Sequence, residues 1–115
     1  STYFLPRLIG LKAAKELMLT NRVFTAQEAF EMGIIDKVVE DNEELIEETQ
    51  KQAVAFSKGP TNAYGSVKKL LNQTFSNGLE TQMEREGIYI AENAQSDNGQ
   101  EGMLAFKEKR KPFFK

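Results

Sequence analysis

The chain has 115 residues, 15 Lys and Arg against 17 Asp and Glu, and a net charge of −2. That length allows one domain at most, and 40% hydrophobic with 28% charged residues is the balance of a globular chain rather than a disordered one. With no Cys, His or Trp, disulfides, thiolate nucleophiles, His bases and His-ligated zinc are excluded within these residues.

Residues 10–20 are rich in good helix formers, and Leu11, Ala14, Leu17 and Met18 fall on one helical face. Thr25-Ala26-Gln27-Glu28 is a capping box, so a short helix follows it and stops at Gly33, a natural left-handed cap. Residues 34–39 are β-branched and read as a short extended segment, a candidate edge strand. Asp41 and Asn42 are candidate caps of the next helix, with Leu45, Thr49, Ala53 and Phe56 on its apolar face. Gly59-Pro60 closes that helix and opens another, striped by Ala63, Tyr64, Val67, Leu70, Leu71, Thr74 and Phe75. Asn77-Gly78 is a turn, and Leu79, Met83, Gly87, Ile90 and Ala94 mark a further long helix. Ser96-Asp97-Asn98-Gly99 reads as a loop, with a last helix from about Gln100 to Arg110, ended by Pro112. The class is mainly α: about five or six helices with at most one short extended segment. No apolar run approaches the ~20 residues that span a bilayer. No charged start is followed by an apolar stretch, so a cytoplasmic location is the expectation.

Four features are candidate sites. The run from Glu40 to Glu48 holds six carboxylates, but it opens a helix, where acids complement the dipole, and its spacing is not that of a calcium loop. Gly99-Gln100-Glu101-Gly102 has the spacing of an RNA-binding G-x-x-G loop, yet Glu101 carries the wrong charge to meet phosphate. The triplet Asn72-Gln73-Thr74 lies mid-helix and reads as chance. Residues 101–115 set five cations (Lys107, Lys109, Arg110, Lys111, Lys115) against two acids, interleaved with Phe106, Phe113 and Phe114. Two readings stand for this end: a site for a flat base carrying phosphates, or a basic helix terminus that complements its dipole, with Phe side chains plugging a core. Nothing suggests a metal site or a prosthetic group.

Three strings carry a resemblance. They are Leu5-Pro6-Arg7-Leu8-Ile9-Gly10 with Glu16-Leu17-Met18-Leu19-Thr20, then Thr25-Ala26-Gln27-Glu28-Ala29 through Met32-Gly33-Ile34-Ile35 and Val38-Val39, and finally Glu101-Gly102-Met103 with Ala105-Phe106 and Glu108-Lys109-Arg110. Together they resemble the enoyl-CoA hydratase/isomerase (crotonase) superfamily, in order and over nearly the whole chain. The resemblance implies the C-terminal helical part of a crotonase-like α/β spiral fold. Residues 1–40 would be the end of the core, with two short helices, and residues 41–115 a trimerisation and CoA-covering region. It implies an acyl-CoA isomerase or hydratase that holds an enolate between two backbone N–H donors, with those donors and the catalytic acids upstream of Ser1. The substrate would be a coenzyme A thioester, and the protein a homo-oligomer, a trimer or dimer of trimers, that binds neither nucleic acid nor membrane. By position, Phe106 would pack near the adenine or pantetheine and Lys109 would approach the adenosine phosphates. None of the Asp or Glu residues falls at a catalytic position of the family. The strings Gly59-Pro60-Thr61, Lys68 with Leu70-Leu71-Asn72, and Leu79-Glu80 with Gln82 and Glu84 resemble the isomerase branch acting on ring-epoxidised phenylacetyl-CoA. The alternative is a free-standing helical interaction module without enzymatic activity.

Overall fold

Seven helices and no strand make up the chain, which a computed structural model describes over residues 1–115. They are α1 (Leu5–Ile9), α2 (Leu11–Thr20), α3 (Ala26–Glu31), α4 (Asn42–Ser57), α5 (Thr61–Gln73), α6 (Leu79–Gln95) and α7 (Asp97–Lys107). The mainly α class therefore holds. Two compact units divide the chain, Ser1–Ile46 and Glu47–Lys115.

In the first unit, α1 is one turn too short to show a period in the sequence. It carries Pro6 at its second position and ends at Gly10, whose φ of +81° is open to glycine at little cost. Ala14 and Leu17 of the predicted α2 face are buried, while Leu11 and Met18 on the same face stay exposed. The capping box forms as expected: Glu28 N–H donates to the Thr25 hydroxyl (3.1 Å), and Thr25 N–H donates back to the Glu28 carboxylate (2.8 Å). Those bonds, from the Thr25 N–H first and its hydroxyl second, hold the Glu28 carboxyl below its usual range. Arg22 joins α2 to α3 through Glu16 (3.0 Å) and Glu28 (3.3 Å). At the end of α3, Gly33 N–H donates to Phe30 O (2.9 Å) and Ile34 N–H to Ala29 O (2.8 Å), with Gly33 at φ +76°. This pair of bonds is a Schellman ending. Residues 34–39 form no strand: Ile34 and Asp36 lie in bends, and no ladder pairs the segment with another. Asp41 Oδ1 then accepts the Glu44 N–H (2.8 Å), and Glu44 accepts the Glu40 N–H (2.8 Å), so the acidic run caps the start of α4.

In the second unit, Gly59 lies directly under the Tyr64 ring, where a Cβ would collide, and Tyr64 meets Phe56 edge-to-face at 5.9 Å. Helices α5 and α6 are tied by side chains: Asn93 Nδ2 donates to Ser66 Oγ (2.8 Å), Gln82 Nε2 to Leu70 O (3.2 Å) and Arg85 Nη1 to Gln73 Oε1 (3.1 Å). Helix α7 begins three residues before the expected Gln100. Ser96 is its cap, accepting the Gly99 N–H at 3.1 Å, so the stretch read as a loop is the first turn of the helix. Apart from Asn98, the only buried residue of this unit is Ala105, and no large side chain is fully buried in either unit. The apolar stripes of α4, α5 and α6 form helices as predicted, yet most of their side chains stay exposed.

Candidate functional site

The basic, aromatic end is built on α7. Gly99 lets α7 close on α6, since a Cβ there would strike the Asn93 carbonyl. Asn98, Glu101, Gly102 and Ala105 repeat at three- and four-residue steps and share one face. Ala105 on that face is 1% exposed and Asn98 is 8% exposed. Phe106, one position further round, is 88% exposed.

The helix ends in a second Schellman motif. Lys109 N–H donates to Phe106 O (3.2 Å) and Arg110 N–H to Ala105 O (3.0 Å). The residue in the left-handed position is Lys109, at φ +55°, where α3 uses a glycine. Arg110 then turns back along the helix. Its Nη1 and Nη2 fork onto the Glu101 carboxylate at 2.6 and 2.9 Å, and its Nε meets Glu108 at 2.6 Å. Glu101 also accepts the Phe113 N–H at 2.7 Å. The Arg110 hydrogen bonds first, then the Phe113 N–H and the Arg110 charge, pull the Glu101 carboxyl down to about 2 from 4.5. The same pairing pushes Arg110 above its usual range. Asn98 completes the attachment: its amide accepts the Lys115 N–H (2.9 Å) and donates to the Lys115 carbonyl (2.9 Å). Phe114 lies over Gly102 and helps line an apolar hollow of about 330 Å³ with Pro60, Ala63, Ala94 and Met103.

Of the two predicted binding residues, Phe106 and Lys109 are thus brought to one turn, both exposed, with Lys109 N–H on the Phe106 carbonyl. Arg110 is occupied by two carboxylates, whereas Lys107 and Lys109 form no ion pair. The five cations are therefore not equivalent: one closes the turn and others face outward. The G-x-x-G spacing lies inside α7, where Gly99 serves the close approach to α6 and Gly102 faces the Phe114 ring. No group of three or more acidic side chains is placed to hold a metal ion. Composition did not single out Glu101, Arg110 and Asn98. Glu101 and Arg110 lie nine residues apart and meet only because the turn at Lys109 reverses the chain, and a period of 3.6 does not register such a pair.

A family model described as enoyl-CoA hydratase/isomerase matches residues 1–115. The chain is 35% identical over 113 residues to the 1,2-epoxyphenylacetyl-CoA isomerase of Escherichia coli K12, covering 98% of this chain and 43% of that protein. It is 36% identical over 119 residues to the mitochondrial methylglutaconyl-CoA hydratase of Mus musculus, covering 99% of this chain and 37% of that one. Its fold matches the solved enoyl-CoA hydratase of Bacillus anthracis with a TM-score of 0.88 and 34% identity, over 99% of this chain and 44% of that one. The chain thus spans less than half the length of the relatives it matches. No helix is long and apolar enough to cross a membrane.

Proposed function

Because the chain belongs to the enoyl-CoA hydratase/isomerase family, and its helices have the fold of the helical part of crotonase-like proteins, we propose that it is the part of an acyl-CoA isomerase or hydratase that grips the coenzyme A end of a thioester substrate. The observation that carries this reading is the end of α7, where an exposed Phe106 and an unpaired Lys109 share one turn. An aromatic face beside an ammonium group suits adenine and its phosphates, and a charge-assisted bond to phosphate is among the strong polar contacts. Residues 1–40 are then the end of the spiral core and 41–115 the helical cover. The reacting carbonyl lies between two backbone N–H donors outside these residues, which stabilise the enolate. Donors of that kind are worth roughly 10²–10³-fold each. No prosthetic group takes part. The protein is a homo-oligomer, a trimer or pair of trimers, working in the cytoplasm, without nucleic-acid or membrane partners.

Within the family we place it in the isomerase branch, with a ring-epoxidised phenylacetyl-CoA as the candidate substrate. Similarity to the 1,2-epoxyphenylacetyl-CoA isomerase of Escherichia coli and the Gly59-Pro60-Thr61 and Leu79-Glu80 strings support this. The test is to assay the protein at its natural length with a 2-enoyl-CoA and a 3-enoyl-CoA in parallel. Isomerisation of the 3-enoyl thioester without hydration is the expected result. Hydration alone keeps the family and overturns the branch. Turnover of neither, with no binding of coenzyme A, overturns the grip reading and leaves the helical interaction module.

A further inference from the structure

We propose that Glu101 is a positioning residue that aims Lys109: by clamping Arg110 and the Phe113 N–H, its carboxylate holds closed the left-handed turn from which the Lys109 ammonium reaches a phosphate. The inference deepens the reading above and rests on it.

Two helices of this chain end with the same pair of backbone bonds, and the residues at the reversal differ. Helix α3 places Gly33 there, at φ +76°. Helix α7 places Lys109 there, at φ +55°. The left-handed region is disfavoured for a residue with a Cβ, and a lysine in it persists only where surrounding bonds over-determine the turn. Those bonds are present at α7. Arg110, the next residue, is fixed by a two-pronged bond to Glu101 at 2.6 and 2.9 Å. The same carboxylate takes the Phe113 N–H at 2.7 Å, so the chain is held three residues further on as well. Glu101 sits one turn before Ala105, which is 1% exposed, so the carboxylate is anchored to a packed part of the helix. The low protonation tendency of Glu101 keeps it charged for this task at any ordinary pH. Without the clamp, the turn is free to leave the left-handed region, and the Lys109 side chain then points elsewhere while remaining present.

The role is separable from general stability. Coenzyme A and pantetheine serve as the two probes, because pantetheine lacks the nucleotide and its phosphates. The quantity read is the ratio of their affinities for the natural-length protein, since a loss of folded protein lowers both alike. The variants are Lys109→Gly, Glu101→Gln and their combination. The preference for coenzyme A is expected to fall about tenfold in each single variant, the scale of one bond to a charged group, and no further in the double variant, because Glu101 acts only through Lys109. A Glu101→Gln protein that keeps the full preference while Lys109→Gly loses it overturns the proposal and leaves the grip reading standing. Additive losses in the double variant overturn it too, as does an equal fall in both affinities. A Lys109→Gly protein with undiminished preference for coenzyme A overturns the grip reading itself. Should Glu101→Gln not fold, Arg110→Lys is read the same way, because an ammonium group cannot span both carboxylates as the guanidinium fork does.

Discussion

Gly33 and Lys109 occupy equivalent places in two endings of one chain, which makes them a natural pair for substitution. Giving Gly33 a Cβ by Gly33→Ala costs about 1–2 kcal/mol, the penalty of a left-handed L-residue. The reverse change, Lys109→Gly, recovers a similar amount, less the ~0.4–1 kcal/mol of freedom glycine adds to the unfolded chain. Urea titration should therefore show a clear loss for Gly33→Ala and a small gain for Lys109→Gly. A gain in stability alongside weaker coenzyme A binding identifies a side chain kept for function at the expense of the fold. A loss on Lys109→Gly would mean that the lysine stabilises the turn itself. At this scale the sequence was partly legible. Gly33 and the Thr25–Glu28 box announce themselves, because each rests on a preference local to a few residues. The lysine at φ +55° does not, because the bond that holds its turn runs from Arg110 to Glu101, nine residues back, beyond the reach of a local preference.

Among the elements, the crossing of α6 and α7 depends on Gly99, whose position leaves no room for a Cβ beside the Asn93 carbonyl. Gly99→Ala must push the helices apart, at a cost of roughly 1–3 kcal/mol, and thermal unfolding should register it as a lowered Tm. The equivalent change at Gly87, with open space around its backbone, should have no such cost and serves as the control. The same glycine explains the misplaced start of α7. Ser96-Asp97-Asn98-Gly99 has the composition of a loop, and glycine is a poor helix former. Here close approach to α6 outweighs propensity, and Ser96 caps the helix three residues earlier than composition suggests. Long helices were legible because their stripes run over several turns. α1 was not, since five residues hold no period. The β-branched run at 34–39 lacks the neighbouring strand that its composition suggests.

For the whole molecule, the stripes that predicted helices so well did not predict burial. Leu71, Phe75, Leu79, Met83 and Ile90 line α5 and α6 or the turn between them, and all are exposed. Apolar surface on this scale marks a face that meets other protein. In the proposed assembly, copies of the protein and the rest of its core cover it. Light scattering on the natural-length protein should report an oligomer at micromolar concentration, and a monomer would contradict the assembly. The family resemblance was legible because it is spread along the chain rather than concentrated in a catalytic motif. The match over residues 1–115 has that same extent.

The buried set has a consequence for how this chain tolerates change. Three of its four hydrophobic members are Ala14, Ala29 and Ala105, and only Leu17 is larger. An alanine has almost nothing to remove, so truncation can hollow out the interior at one position alone. Nearly every harmful substitution within this set must instead add atoms at a position that is already packed. The mutational sensitivity of these packed positions is thus one-sided, and a library scored for function should find small residues required at 14, 29 and 105, while the outer stripes keep the apolar character that the proposed assembly covers.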